Sequence, residues 1–77
     1  MKEKIQEILQ GLRPEFEFGP GVDFIAEGMI DSFDMVNLVS ELEENFGIVI
    51  DGIDILPENF SSLEAIESLV NKSEKAE

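Results

Sequence analysis

The first apolar stripe lies at Ile5, Ile8, Leu9 and Leu12, spaced i, i+3, i+4 and i+7. That spacing puts four side chains on one face of a helix from about Lys2 to Leu12, with Gly11 and Pro14 marking its end. A second stripe, Met35, Leu38, Val39, Leu42 and Phe46, predicts a helix that starts at Asp31 or Ser32 and ends near Gly47. Its outward face would carry Asp34, Asn37, Glu41, Glu44 and Asn45, and Gly47 suits the left-handed residue that follows a helix. A third stripe, Leu63, Ile66, Leu69 and Val70, predicts the last helix. Ser61 and Glu64 have capping-box spacing at its start, and Lys72 and Lys75 favour the negative end of its dipole. The chain after Asn71 is expected to fray, which leaves an ordered core of roughly residues 2–71.

The segments between these stripes follow other rules. From Arg13 to Ile30, Gly19, Pro20, Gly21 and Gly28 break any period, while Phe16, Phe18, Val22, Phe24 and Ile25 supply apolar anchors. A connection this long is functional or packed by its own side chains, and the phenylalanines place it across the core. Ile48 to Ile50 is β-branched but short and without a partner run, so it reads as an extended connector packed inward. The turn-rich stretch from Asp51 to Phe60 allows a short third helix around 53–56 or 57–60. The sum is an all-α fold: one domain over 1–77, a small four-helix bundle with a long first loop and a short third helix.

Composition narrows the chemistry. The 77 residues hold no Cys, His, Tyr or Trp, which excludes disulfides and any zinc site built on thiolate or imidazole. It also removes the usual catalytic bases and thiol nucleophiles, so thiol chemistry here needs a sulfur brought in from outside. No apolar run approaches the ~18 residues that span a bilayer. The amphipathic N-terminus is unlike a signal peptide, so the expected location is the cytoplasm. A net charge of −13 is unevenly spread: Lys2, Lys4 and Arg13 lie near the start, Lys72 and Lys75 near the end, and no Lys or Arg falls between Pro14 and Asn71. Such a surface repels nucleic acid and anionic lipid and attracts basic protein patches, although high solubility alone accounts for many acidic chains.

The candidate chemistry gathers at "IDSFDMV", where the long loop meets the second helix. Asp31 as N-cap with Asp34 in the first turn explains the stretch as a helix start and nothing more. The same physics suits a modified serine: Ser32 sits in the first turn, where the helix amides favour an anion on its hydroxyl, such as a phosphate or a phosphopantetheine phosphodiester. The other serines lie mid-helix, at a cap, or in and past the last helix. Asp31 and Asp34 as an acid–base pair lack an activating partner. Asp51, Asp54 and Glu58 lack EF-hand spacing, so no dedicated calcium or other metal site is expected.

These residues resemble a known family. "DSFDMVNLVSELEENFGIVI" is similar to the acyl carrier proteins, whose motif is Asp-Ser-Leu followed by a Val/Leu helix and a Glu-Glu pair before Phe, and the resemblance extends over essentially the whole chain. It implies a non-enzymatic monomeric carrier whose Ser32 receives 4′-phosphopantetheine from coenzyme A through a phosphopantetheinyl transferase, with Asp31 assisting. It implies that the arm's thiol holds acyl groups as thioesters for biosynthetic enzymes of fatty-acid, specialised lipid or polyketide type. Phe33, Asp34, Val36, Glu43 and Glu44 would meet those partners, whose basic patches the acidic surface would steer. Val39, Leu42, Ile50, Ile55, Leu56, Phe60 and Ile66 are candidates to line an acyl pocket, each with plain core packing as the alternative. No nucleic acid or membrane insertion is implied.

Departures from the fatty-acid type leave the cargo open. "EGMIDSF" has one more residue between Gly28 and Asp31 than the usual Gly-Ala-Asp-Ser-Leu, a flank closer to D-alanyl carriers; Phe33 replaces Leu, Asn37 replaces Glu, and Ser40 stands where an apolar residue is frequent. The segment from Ile50 to Phe60 is also longer. Three readings follow: a stand-alone acyl carrier, a carrier of an activated amino acid of D-alanyl or peptidyl type, and an unmodified acidic helical protein that binds a basic partner.

Overall fold

The computed structural model describes residues 1–75, so the last two positions of the expected domain lie outside the described residues. Helix α1 spans Lys2–Leu12, α2 Ser32–Phe46 and α3 Leu63–Lys72. Helix α1 runs through Gly11 and stops at Leu12 because Pro14 forces the preceding residue out of helical geometry, and Arg13 sits at φ −136°, ψ 78°. Helix α2 ends at Gly47, at φ 61°, whose N–H reaches the Glu43 carbonyl.

The three expected stripes become the core. Ile5, Ile8 and Leu9 of α1, Met35, Leu38, Val39 and Leu42 of α2, and Leu63, Ile66, Leu69 and Val70 of α3 are all buried in one cluster, while Leu12 and Phe46 pack partly against it. Helix α1 packs on both α2 and α3. The long loop crosses this core: Phe18 and Phe24 are fully buried and meet edge to face with centroids 5.1 Å apart. Two glutamines one turn apart on α1 hold the loop's backbone. Gln6 Nε2 donates to the Phe18 carbonyl at 2.7 Å, and the Phe18 N–H donates to Gln10 Oε1 at 3.1 Å. The Phe24 N–H donates to the Ser61 carbonyl at 2.8 Å, and the Phe24 carbonyl accepts from Met29 and Ile30. A segment of 13–31 that would otherwise carry unpaired backbone is thus fixed just ahead of α2.

Three expectations are corrected. Among the described residues the short third helix lies at Pro57–Phe60, one of its two expected places, but it is 3₁₀ and a second 3₁₀ helix, Gly52–Asp54, precedes it, so the fold has three α-helices and not a bundle of four. Each takes its start from local chemistry: the Asp51 side chain caps the first by accepting from the Ile53 N–H, and Pro57, which lacks an N–H, opens the second. Ile48–Val49 is not an unpartnered connector but strand β1, antiparallel to β2 (Glu74–Lys75), with Ile48 opposite Lys75 and Val49 opposite Glu74. The described chain continues past α3 through this strand to Lys75, and Ser73 Oγ donates to the Leu69 carbonyl at 2.6 Å. Finally, Ser62 caps α3 by accepting from the Ala65 N–H at 3.0 Å, while Ser61 donates to the Glu58 carbonyl and ends the preceding 3₁₀ helix. No described helix is long and apolar enough to cross a membrane.

Candidate functional site

The site is built by a reciprocal cap. Asp31 lies just before α2 in extended conformation, and its Oδ1 accepts from the Asp34 N–H at 2.9 Å. In return Asp34 Oδ2 accepts from the Asp31 N–H at 3.3 Å. Two amides that a helix start leaves without partners are satisfied by two carboxylates three residues apart. The Asp34 N–H holds the Asp31 carboxyl below its ordinary value; partial desolvation works against this, while the Asp34 side chain, the Arg13 charge and the Phe33 N–H reinforce it. Asp31 is thereby held as an anion at neutral pH.

Ser32 is the first residue of α2 and exposed. Beside it Phe33 is 74% and Val36 62% exposed, two large apolar side chains that the core does not use. Asp34 is different. It belongs to the expected outward face, yet it is the buried charged residue among those described, at 7% exposure. The reason lies 21 positions back in the chain: Arg13 Nε stands 3.5 Å from Asp34 Oδ2 and 3.4 Å from Glu15 Oε2. That Nε is buried, and its N–H points at neither carboxylate well enough for a hydrogen bond, so the attraction is Coulombic. The Arg13 guanidinium also lies 5.6 Å from the centre of the Phe16 ring. Periodicity within α2 has no access to Arg13. The signal that points to it is charge: it is the sole Lys or Arg between Lys4 and Lys72.

The remaining candidates separate by position. Glu44 is exposed, but Glu43 is half-buried and its Oε2 accepts from the Ile50 N–H at 2.9 Å, which ties β1's exit back to α2. Of the seven possible acyl-pocket residues, Leu42, Phe60 and Ile66 have essentially no accessible surface, Val39 and Ile50 are buried, and Ile55 packs against the same cluster. Leu56 stands apart, 42% exposed on the connection between the two 3₁₀ helices. The groove beside Ile50 is walled by Asp51, Asp54, Lys72 and Glu74, a charged lining ill-suited to an acyl chain. Asp51 is engaged in its cap and Asp54 pairs with Lys72 at 3.0 Å; no three acids gather as metal ligands among the described residues.

An exposed hydroxyl on the first residue of a helix, beside an ionised carboxylate and free of competing packing, fits a covalent phosphate-linked group. The family profile described as phosphopantetheine attachment site matches residues 1–70, and the chain belongs to that family. Members bind 4′-phosphopantetheine covalently and serve as carriers for partner enzymes, with a phosphopantetheinyl transferase installing the group. No curated protein and no solved structure matches the chain.

Proposed function

We propose that this member of the phosphopantetheine attachment-site family is an acyl carrier whose arm is joined to Ser32. The observation that carries the assignment is the position of that hydroxyl: exposed, on the first residue of α2, next to the capped Asp31. The other described serines offer no such setting. Ser61, Ser62 and Ser73 are engaged in local hydrogen bonds, Ser40 lies in the middle of α2, and Ser68 lies inside α3. Ser32 Oγ takes the phosphopantetheinyl group from coenzyme A as a phosphodiester and gives up its proton, and the nucleotide bisphosphate leaves. The bound group supplies the thiol that this chain lacks, on which acyl cargo is held as a thioester.

The chain's own residues then do three things. Asp31 and Asp34 fix the start of α2 and hold the serine outward. Phe33 and Val36 offer an apolar contact beside it, and the acids of α2 give that contact a charge rim. A partner with a matching basic rim is steered to this face at a rate that salt reduces. The test is intact mass after incubation with coenzyme A and a broad phosphopantetheinyl transferase. The expected result is one phosphopantetheinyl addition, abolished by Ser32→Ala; no addition, or addition that survives the substitution, overturns the assignment. A second reading, a carrier of an activated amino acid, is favoured by the Gly28–Ser32 flank. Loading of the modified protein by an adenylating enzyme in place of an acyl-transferring one selects that reading.

A further inference from the structure

Asp34 is a carboxylate taken out of water at the base of α2, and such a group needs partners. The structure gives it two: the Asp31 N–H at 3.3 Å and Arg13 at 3.5 Å. Arg13 is placed for this by its own sequence context. It is the residue after α1, turned out of the helix by Pro14, and its guanidinium lies near the face of Phe16. Phe16 in turn packs edge-on against Phe18, which the two α1 glutamines fasten to the bundle. One continuous set of contacts therefore leads from α1 through Arg13 to Asp34, and from Asp34 by the reciprocal cap to Asp31 and the first turn of α2.

We infer that Arg13 is a positioning residue for the modification of Ser32: it pins the Asp34 carboxylate, and through the Asp31–Asp34 cap it holds Asp31 and Ser32 in the arrangement that a phosphopantetheinyl transferase meets. This rests on Ser32 as the attachment residue. Without Arg13 the Asp34 carboxylate lies buried beside a second carboxylate with no cation to offset either. It then swings to water, its bond to the Asp31 N–H weakens and the cap loosens. Arg13 also helps to keep Asp31 ionised, alongside the Asp34 N–H and side chain and the Phe33 N–H. The charged groups facing this cap are Arg13, Glu15, Asp31 and Asp34. Glu15 competes for Arg13, so its removal should leave the clasp intact.

The experiment compares initial rates of phosphopantetheinyl transfer, followed by intact mass, for the 77-residue chain and four variants: Arg13→Gln, Arg13→Lys, Asp34→Asn and Ile5→Val. Ile5→Val thins the core at the far end of α1 and serves as a control for stability alone. A small misplacement of a reacting group costs rate more than affinity, so Arg13→Gln should lower kcat about tenfold while KM changes less than about twofold. Arg13→Lys, which keeps the charge but not the planar fork, should recover part of that loss, and Ile5→Val should transfer at the parental rate. The pH profile of transfer to Arg13→Gln should shift to higher pH on its acid side, because Asp31 then ionises with less help. Should Arg13→Gln fail to fold, as read by circular dichroism, Asp34→Asn breaks the clasp from its other end, and the same loss of kcat is expected. Equal kcat for Arg13→Gln and the parent, or a loss matched by Ile5→Val, overturns the positioning role. If the parent itself gains no mass, or gains it independently of Ser32, the attachment assignment fails instead, and the two failures are told apart by the Ser32→Ala control.

Discussion

Asp31 carries two tasks that pull in the same direction. Its carboxylate caps α2 and stands beside the hydroxyl proposed for modification, and both need it charged. Its folded-state pKa is depressed by the Asp34 N–H, with Arg13 and the Phe33 N–H adding to the effect. For a depressed carboxylate the stabilisation is fully present above the ordinary value of 3.8 and is lost as pH falls through the lower folded-state value. Asp31→Asn keeps a capping side chain and removes only the charge. At high salt, where diffuse repulsion is screened, the parent should melt above Asp31→Asn near neutral pH, and the gap should close well below pH 3.8. Melting curves of the two proteins across that range check it; a gap that persists in strong acid means the charge is not what Asp31 contributes. The cap itself was legible in the sequence, since Asp31 and Asp34 meet within one turn. The burial of Asp34 was not, because it depends on Arg13 from another element.

At the scale of elements, the periodic stripes at Ile5–Leu12, Met35–Phe46 and Leu63–Val70 located all three α-helices, because amphipathic spacing is a local property. What the stripes could not show is pairing at a distance. Strand β1 exists only because α3 delivers Glu74 and Lys75 alongside it, and no pattern within Ile48–Val49 announces that. Between Asp51 and Phe60 the breakers Gly52 and Pro57 signalled short helical pieces without fixing their type. Capping-box spacing to Glu64 pointed to Ser61, one position before Ser62, the residue that caps α3. Two glycines, one inside α1 and one just past the end of α2, give opposite expectations that test the element boundaries. Gly47 is left-handed at φ 61° and has nothing near its missing Cβ, so Gly47→Ala carries backbone strain alone and should destabilise by about 1 kcal/mol. Gly11 lies inside α1 with open space at its Cβ, so Gly11→Ala should stabilise by about 0.5–1 kcal/mol. Urea unfolding of both variants measures the pair, and a change of the same sign at both sites contradicts the assigned ends of α1 and α2.

For the whole molecule the open question is which electrostatic effect wins. Three of the described cations are engaged: Lys2 with Glu64 and Glu67, Arg13 with Glu15 and Asp34, Lys72 with Asp54. Salt weakens these pairs, but the exposed ones contribute only about 0–1 kcal/mol each. Against them stands a net charge of −13 confined within a radius of gyration of 11.3 Å. Two like charges about 11 Å apart in water repel by roughly 0.4 kcal/mol, and the unfolded chain more than halves that by expanding to a radius of roughly 27 Å. Repulsive pairs far outnumber the attractive contacts, so folding concentrates repulsion faster than it gains attraction. At about 0.01 M salt the screening length of roughly 30 Å spans the molecule; at about 0.15 M it falls to roughly 8 Å and the distant pairs drop out. Relief of even about 1 kcal/mol corresponds to a rise of about 4–8 °C in a domain of this size. The melting temperature should therefore climb between those salt concentrations by at least that range, and magnesium chloride at matched ionic strength should raise it no less. A flat or falling melting temperature would mean that the Lys2, Arg13 and Lys72 pairs outweigh the repulsion, and would leave the acidic surface without a cost to stability for its proposed steering of basic partners.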